Sequence, residues 1–352
     1  MAKSHVGVEI TEESVRAVEV SGDRQPQVIA FGEVALPPDA AHDSEVLDQG
    51  AVAVAIRQLW STAKIRAKSA TIGIASRRVL VREHTTSVMP PDLLRQALPF
   101  QVQDLLPVPV AQAVLDYYPT SQQGDQLHGL LVAAVSETIE TMIASFARAK
   151  IRVDGVDLAA FGLARAAALV APTGTVAAIH IGDHTTQIVI LRDGIPDFVR
   201  ITPVDLETSA VRRRASQMLA PDGIGDGTFI TDGAVDPTRG FGDDLTGSAG
   251  IVARGSLRVD VALRPVTDVI ARMRSTLAFY LNKPGSPPIE QVLLCGAGSA
   301  VDGVAAGLAD AVDMPVRTLS LQNLLPARGA DPTGELALNL VSTAGLALGK
   351  DR

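Results

Sequence analysis

The stretch IHIGDHTTQIVILRDG holds the residues whose types and spacing are most suggestive of chemistry. His180 and His184 flank a Gly-Asp pair and could ligate a metal ion through their ring nitrogens. Gly182, Thr185 and Thr186 could instead form a turn whose N–H groups and hydroxyls approach a phosphate. A two-histidine site needs both rings on one face, as a helix provides, whereas glycine and two β-branched threonines predict strand, turn, strand. The pattern argues against a metal site and leaves an ordinary hairpin or a phosphate-binding turn.

A second segment repeats this pattern near the N-terminus. VGVEITEESVRAVEV has β-rich runs on both sides of an acidic turn, which predicts two strands joined by a tight turn. Glu9 ends the first predicted strand, and Thr11 and Ser14 supply hydroxyls at the turn. Arg16 could neutralise a phosphate or could simply face solvent. Two such hairpins facing one another would put their turns on opposite sides of a cleft.

A third candidate turn lies near the C-terminus, in EQVLLCGAGSAVDGVAAGLADAV. The pattern predicts a buried strand, a Gly-rich turn at Gly296, Gly298 and Ser299, and a helix. Glycines in such a turn let the backbone lie against a flat adenine and ribose, although a Gly-x-Gly turn alone is weak evidence. We expect Cys295 to be a small buried apolar residue, because no histidine neighbours it in the sequence.

The predicted elements indicate an α/β protein with an internal repeat of architecture. Between the repeats, a predicted helix, two strands and a helix N-capped by Ser136 form an inserted αββα lobe. A Gly- and Asp-rich segment between Pro221 and Gly255 is interpreted as mobile and exposed. The predicted units are a first subdomain of 1–82 with 151–175 and 336–352, an inserted lobe of 83–150, a second subdomain of 176–210 with 289–335, and a smaller subdomain of 211–288 that holds the mobile segment.

Charge and composition exclude several classes of function. A net charge of −8 and a pI near 5.3 argue against a nucleic-acid or anionic-membrane surface, since either needs a concentrated basic face. We interpret the one basic cluster, Arg212-Arg213-Arg214, as a solvated helix face. A single cysteine permits no intrachain disulfide, and no segment has the pattern of a signal peptide or membrane span. We expect a cytoplasmic protein that reaches the inner membrane only through partners.

The three turns, in this order, resemble those of the actin, Hsp70 and sugar-kinase ATP-binding superfamily. Within it the chain is most similar to the PilM family of type IV pilus assembly proteins and to its relative FtsA. EITEESVR resembles the family's D-I-S-S-T-S-V-K, HIGDHTT its D-I-G-x-x-T-T, LCGAGS its L-x-G-G-G-A, and STLAFY its R-S-L-x-F-Y. LLPVPVAQAVLDYYP is similar to I-P-F-P-x-x-x-x-x-L-D-Y, a motif of the inserted lobe and the most family-specific. The resemblance implies a two-lobed, actin-like ATPase fold with an αββα insertion.

The resemblance also implies a nucleotide site formed by the three turns. Glu9 would be its possible Mg²⁺ ligand, and no catalytic residue is assigned. The implied nucleotide-binding residues are Glu9, Thr11, Ser14, Arg16, Gly182, Thr185, Thr186, Gly296, Gly298 and Ser299.

The sequence departs from the family where hydrolysis would occur. The family's two turn aspartates are Glu9 and His180 here, and an imidazole suits Mg²⁺ poorly. Glu12 and Glu13 replace small hydroxyl residues. A carboxylate about 4 Å from a phosphate charge costs about 4 kcal/mol at an effective dielectric of about 20, so either both side chains point away or nucleotide binds poorly. We predict weak or vestigial ATP binding with little turnover.

The resemblance further implies a partner. PilM-like proteins are expected to bind an Asn-Leu-Leu-Pro peptide from the cytoplasmic tail of the inner-membrane protein PilN, in a groove between the first subdomain and the inserted lobe. This chain would then be an adaptor on a PilN-like tail, with other pilus assembly proteins and self-association as further possibilities. Its own LQNLLP at 321–326 could mimic that peptide, but a Leu-rich segment that ends an edge strand before a loop is the favoured interpretation.

Two other functions stay open. A small-molecule kinase of the superfamily would need a catalytic Asp near the γ-phosphate and an intact Asp-Gly first turn, which EITEE lacks. An FtsA-like filament protein would need a C-terminal amphipathic anchor, whereas LNLVSTAGLALGKDR predicts a short apolar helix that packs on the first lobe.

Overall fold

The computed structural model describes residues 4–219, 251–329 and 331–349. Most predicted strands and helices are present, because their apolar residues recur at strand or helix spacing. In chain order, the elements as far as the second hairpin are β1 (Ser4–Ile10), β2 (Ser14–Ser21), β3 (Val28–Ala35), β4 (Ala41–His42), β5 (Glu45–Val46), α1 (Gln49–Thr62), β6 (Ser69–Ile74), β7 (Leu80–Ser87), α2 (Pro91–Val102), β8 (Ala113–Gln123), β9 (Gln126–Val135), α3 (Ser136–Arg148), β10 (Arg152–Leu158) and α4 (Ala159–Val170). The remaining elements are β11 (Thr175–Ile181), β12 (Thr185–Arg192), β13 (Ile195–Pro203), α5 (Ser209–Leu219), α6 (Ile251–Leu281), β14 (Gln291–Cys295), α7 (Val304–Ala311), β15 (Val316–Thr318), α8 (Leu321–Leu324) and α9 (Gly334–Ala347).

Two five-stranded sheets repeat one pairing pattern. The first sheet has the order β10-β6-β1-β2-β3 and the second β13-β12-β11-β14-β15. In each, an antiparallel hairpin is extended by a third antiparallel strand on one side and by a parallel strand on the other. The predicted internal repeat is therefore confirmed, and the two hairpin turns occupy equivalent positions in their sheets.

Helices α4 and α9 lie against both sheets and pack on each other. The Cα positions of Gly162 and Gly345 let them approach closely, since a Cβ on Gly345 would stand 1.8 Å from the Gly162 carbonyl oxygen. Residues 339–347 of α9 are all buried, as expected for a helix that is apolar nearly all round. As predicted, the C-terminal helix packs on the first sheet, where it contacts β1, β2 and β6.

The inserted segment differs in detail from the predicted αββα order. Its sheet has three strands in the order β7-β9-β8, so β7, which crosses the predicted boundary between residues 82 and 83, pairs with the insertion. Helix α3 packs on α1 and β10, and its Met142 and Phe146 belong to the core of the first sheet. Ser136 is the first residue of α3, and Val135 occupies the N-cap, so the predicted Ser136 cap is wrong by one position.

Helix α6 begins earlier than the sequence suggested. It starts at Ile251, so 251–255, interpreted as part of the mobile segment, are helical. The rest of that predicted segment lies outside the described residues. In the part of α6 nearer its C-terminus, Met273, Leu277 and Tyr280 pack in the core of the second sheet.

The LQNLLP segment forms α8 and the turn after it, beyond the edge strand β15. Leu321, Leu324 and Leu325 are 1%, 9% and 6% exposed, and the Pro326 carbonyl accepts a hydrogen bond from Val28 N at 2.9 Å. The predicted burial of the leucines is present, but the segment is helical and follows β15 instead of ending an edge strand, so that part of the favoured interpretation is wrong. A segment that fills its own core offers no support for the peptide-mimicry hypothesis.

Among the helices of the described residues, none combines the length and the hydropathy needed to cross a membrane.

Candidate functional site

The β1–β2 and β11–β12 turns face each other and are joined by direct side-chain contacts. In the first turn, Thr11 Oγ1 accepts hydrogen bonds from Ser14 N at 3.1 Å and Glu13 N at 3.3 Å. In the second, Gly182 N donates to Thr185 O at 2.9 Å. The predicted turns are therefore present, and the Thr11 hydroxyl stabilises its own turn.

Arg16 joins the two sheets through a buried ion pair with Asp183, in which both side chains are 1% exposed. Arg16 Nε also donates to Glu33 Oε1 at 2.8 Å and to Ser14 Oγ at 3.1 Å. On the other side, Thr208 Oγ1 donates to Asp183 Oδ1 at 2.7 Å. The solvent-facing alternative for Arg16 is therefore wrong, and its guanidinium is already occupied by protein carboxylates.

The electrostatics of this pair follow from its burial. Burial alone would lower the pKa of Arg16, but the charges of Asp183 and Glu33 outweigh it and raise the pKa. Burial would raise the pKa of Asp183, but the charge of Arg16 and the hydrogen bond from Thr208 outweigh it and lower the pKa. Both groups are therefore held in their charged forms.

A second set of contacts joins the turns closer to the surface. His184 Nε2 lies 2.8 Å from Glu13 Oε1 and 3.5 Å from Glu12 Oε2. Arg214 Nη1 donates to Glu13 Oε1 at 3.2 Å, and Asp43 N donates to Glu12 Oε1 at 2.9 Å. Burial would lower the pKa of His184, but the hydrogen bond to Glu13 and the nearby carboxylates raise it. Glu12 and Glu13 thus turn toward protein partners.

Glu9, the predicted Mg²⁺ ligand, is held by α9. Ser342 Oγ donates to Glu9 Oε2 at 2.8 Å, and the Thr343 hydroxyl donates to the same oxygen. Burial raises the pKa of Glu9, and these hydrogen bonds together with the charge of Arg16 only partly offset the effect. A buried carboxyl with a raised pKa and two hydroxyl partners is poorly placed to ligate a hydrated Mg²⁺.

His180 lies at the end of β11 and is 3% exposed. Burial lowers its pKa to about 3, and the charge of Arg16 acts in the same direction. Its Nδ1 lies 3.6 Å from the Sγ of Cys295, which is fully buried, as predicted, and whose pKa is raised by burial. His180 is therefore a neutral core residue, and it does not share a cluster of potential metal ligands with His184.

The Gly-rich third turn follows β14 and is packed against β11. Gly296 has φ of 88°, and a Cβ there would meet Ile181 O at 2.2 Å, while one on Gly298 would meet Ile181 Cγ2 at 2.3 Å. Ser299 Oγ donates to Gly296 O at 2.6 Å within the turn. Close packing against β11 of the second sheet alone accounts for both glycines.

Little space remains between the two hairpin turns. The cavity there has a volume of about 20 Å³, room for about one water. Two buried side-chain atoms, Thr186 Oγ1 and Gln187 Oε1, have no hydrogen-bond partner among the described residues, and Gln187 lines this cavity. The residues as arranged do not fit the phosphates of Mg-ATP, because protein ion pairs fill the position between the turns.

Sequence reasoning missed most of the partners in this site. Asp183, Glu33 and Thr208 were not singled out, and neither were the hydroxyls of α9 that bind Glu9. The one available signal was Arg16 itself, since an arginine amid Val15, Ala17 and Val18 in a strand buried throughout requires a buried partner. Of the arginine cluster, Arg212 and Arg213 are exposed as predicted, but Arg214 reaches Glu13.

Two repeated sheets, paired hairpin turns and the helices between the sheets define an actin-like α/β fold with an inserted lobe. The family model of the type IV pilus assembly protein PilM matches residues 7–202. The chain belongs to this PilM family.

One solved structure supports the fold. The chain is similar to the PilM-PilN type IV pilus biogenesis complex, with a TM-score of 0.76 and 23% identity over 98% of this chain and 97% of that chain. It is more distantly similar to the ethanolamine utilization protein EutJ from Carboxydothermus hydrogenoformans, with a TM-score of 0.49 and 14% identity over 98% and 89% of the chains. The cytoplasmic domain of EpsL, an inner membrane component of the Vibrio cholerae type II secretion system, gives 0.45 and 12% over 99% and 97%.

Proposed function

We propose that this chain is an actin-like adaptor in type IV pilus assembly that docks on the cytoplasmic tail of a PilN-like inner-membrane protein. Nucleotide binding is weak or vestigial in this proposal, and ATP turnover is slight. The family membership and the similarity to a PilM-PilN complex support the choice of partner. The protein would be peripheral at the inner membrane through that partner.

The observation that carries the proposal is the buried Arg16–Asp183 pair between the two turns. An actin-like ATPase uses this position for phosphates, and here it is filled by side chains of the chain itself. Removing one partner of a buried pair costs about 3–5 kcal/mol because the other charge is left unpaired, so phosphates would have to take the place of Asp183 beside Arg16 and leave that carboxylate without its partner. The lobes are held together without nucleotide, which suits a scaffold better than a turnover enzyme.

We assign the docking face for the tail to the region where the first sheet meets the inserted segment. Helix α3 contacts α1, β9 and β10 there, and Arg57 Nη1 of α1 donates to Arg148 O at the end of α3 at 3.1 Å. Val54 lies one turn before Arg57 and is 54% exposed, and Ile143 on α3 is 39% exposed. These apolar side chains offer contacts to a leucine-containing peptide.

The docking proposal is tested by titrating the full chain with a synthetic PilN-like tail peptide that contains Asn-Leu-Leu-Pro. Binding is expected for the native protein, and Val54→Asp should weaken it at least about tenfold, since a charge would replace an apolar contact. Leu169→Asp is the matched control, because Leu169 is 50% exposed and lies on α4, which is not one of the two helices that carry Val54 and Ile143. Absence of binding by the native chain would overturn the assignment of the partner.

The nucleotide part of the proposal needs a separate measurement. Calorimetric titration with Mg-ATP should show weak binding or none, and a phosphate-release assay should show little turnover. Micromolar affinity with steady phosphate release would contradict this part while leaving the peptide result standing.

A further inference from the structure

The Glu12, Glu13 and His184 side chains converge from both turns. One ligand atom from each, two carboxylate oxygens and an imidazole nitrogen, lies within 4.8 Å of the others. His184 Nε2 is 2.8 Å from Glu13 Oε1 and 3.5 Å from Glu12 Oε2. Glu12 and Glu13 are far from His184 in the sequence, so the three side chains come together only in the folded protein.

One of the two spacings falls in the range found between ligands of a metal ion, and the other is shorter. Zn²⁺ binds nitrogen and carboxylate oxygen at about 2.0–2.2 Å, so tetrahedral ligands stand about 3.3–3.6 Å apart. The observed separations of 2.8 and 3.5 Å need only small side-chain shifts to accept an ion. An imidazole with two carboxylates suits a divalent transition metal better than Mg²⁺, which prefers oxygen ligands.

The carboxylates are also oriented by other groups. Glu12 Oε1 accepts from Asp43 N at 2.9 Å and lies 2.7 Å from His42 Nδ1. This leaves Glu12 Oε2 directed toward His184. Hydrogen bonds to the outer atoms of ligating side chains are the usual means of fixing ligand geometry. Arg214 Nη1 contacts Glu13 Oε1 at 3.2 Å. If an ion bound to this oxygen, Arg214 would have to share it with the ion or move to the other oxygen of Glu13.

Gln187 gives an independent indication of a ligand. It is 2% exposed, and its Oε1 has no hydrogen-bond partner among the described residues. Gln187 lines the same small cavity as Glu12 and His184, and that cavity holds about one water. This oxygen is closed off as the side chain stands, so Gln187 would have to rotate toward the cavity for a water bound to an ion at the cluster to donate to it; that contact would satisfy a group that is otherwise costly to bury.

We propose that Glu12, Glu13 and His184 bind one divalent transition-metal ion, with Zn²⁺ the expected ion, which joins the two lobes at the position of the phosphate turns. The ligand preference of the cleft is then inverted, from an anionic phosphate to a cation. The role is structural, because the ion would hold both turns together beside the Arg16–Asp183 pair.

The test is a Zn²⁺ titration of the chelator-treated full-length protein by calorimetry, with Co²⁺ absorption as a second measurement. We expect one ion per chain and visible Co²⁺ bands from a site with a nitrogen ligand. His184→Ala and Glu12→Gln should each weaken binding at least about tenfold, since the first removes the nitrogen ligand and the second replaces a charged carboxylate by a neutral amide. His128→Ala removes a histidine outside the cluster and should bind as the native protein does.

Two results would overturn the proposal. One is the absence of saturable, one-to-one binding by the native chain. The other is equal affinity of the native protein and a folded His184→Ala or Glu12→Gln variant, which would indicate adventitious binding elsewhere. Using two ligand variants keeps the test decisive if one of them fails to fold.

Discussion

At the scale of single residues, His180 makes stability depend on pH. Burial holds its pKa at about 3, against 6.5 for an ordinary histidine. Between those values the unfolded chain binds a proton that the folded protein excludes. The neutral His180 ring therefore makes its full contribution to the free energy of unfolding above pH 6.5. This contribution is lost as the pH falls toward about 3.

We predict that His180→Asn reduces this dependence. Between pH 6 and 4.5, the free energy of unfolding of the native protein should fall more steeply than that of the variant, by up to about 1.4 kcal/mol per pH unit. Urea unfolding at several pH values measures both slopes. His128→Asn, at an exposed contact with Thr85, should keep the native slope. Equal slopes for the native protein and His180→Asn would show that the buried ring is protonated normally.

At the scale of elements, the crossing of α4 and α9 tolerates no side chain at its centre. We predict that Gly345→Ala destabilises the protein by about 1–3 kcal/mol, because its Cβ would overlap the Gly162 carbonyl and force the helices apart. Gly155→Ala is the control, since a Cβ there meets nothing within 4 Å. Chemical unfolding of both variants provides the comparison. If Gly345→Ala unfolded at the same denaturant concentration as the native protein, the helices would have to separate without a loss of stability.

The strands and helices themselves were largely predictable from the sequence, but the elements that each one packs against were not. Hairpins such as β1–β2 show in the sequence because alternation and turn residues are local signals. The places of β7 and α3 depend on which surface each element covers, and strand or helix periodicity does not specify that. The same limit applies to the site. Glu9 and Thr343 are 334 positions apart, and Arg16 and Asp183 167 apart.

Residue identity carried part of the missing information. The departures at Glu12, Glu13 and His180 fall on side chains that the protein itself engages or buries. What the sequence could not show was the new set of contacts that replaced the expected ones. A charge in a strand predicts that a partner exists, but only the fold determines which carboxylate it meets.

At the scale of the whole molecule, the Arg16–Asp183 pair connects the two lobes. We predict that Arg16→Met costs about 3–5 kcal/mol of stability, because it leaves Asp183 charged and buried without a partner. Arg152→Met is the control, since its ion pair with Asp154 leaves Arg152 76% exposed and such pairs contribute about 0–1 kcal/mol. Denaturant unfolding distinguishes the two. A loss below about 1 kcal/mol for Arg16→Met would mean that Asp183 finds another partner.

The double variant Arg16→Met/Asp183→Asn separates two roles of the pair. Removing both charges removes the uncompensated carboxylate, so most of the lost stability should return. If the pair also fixes the lobes, the amides of both turns should exchange hydrogen faster in the double variant than in the native protein. Mg-ATP should leave the hydrogen exchange of the native turns unchanged, because the Arg16–Asp183 pair already joins the two turns at the position that phosphates would otherwise occupy. Strong protection of the native turns by Mg-ATP would instead show that nucleotide still enters between the lobes.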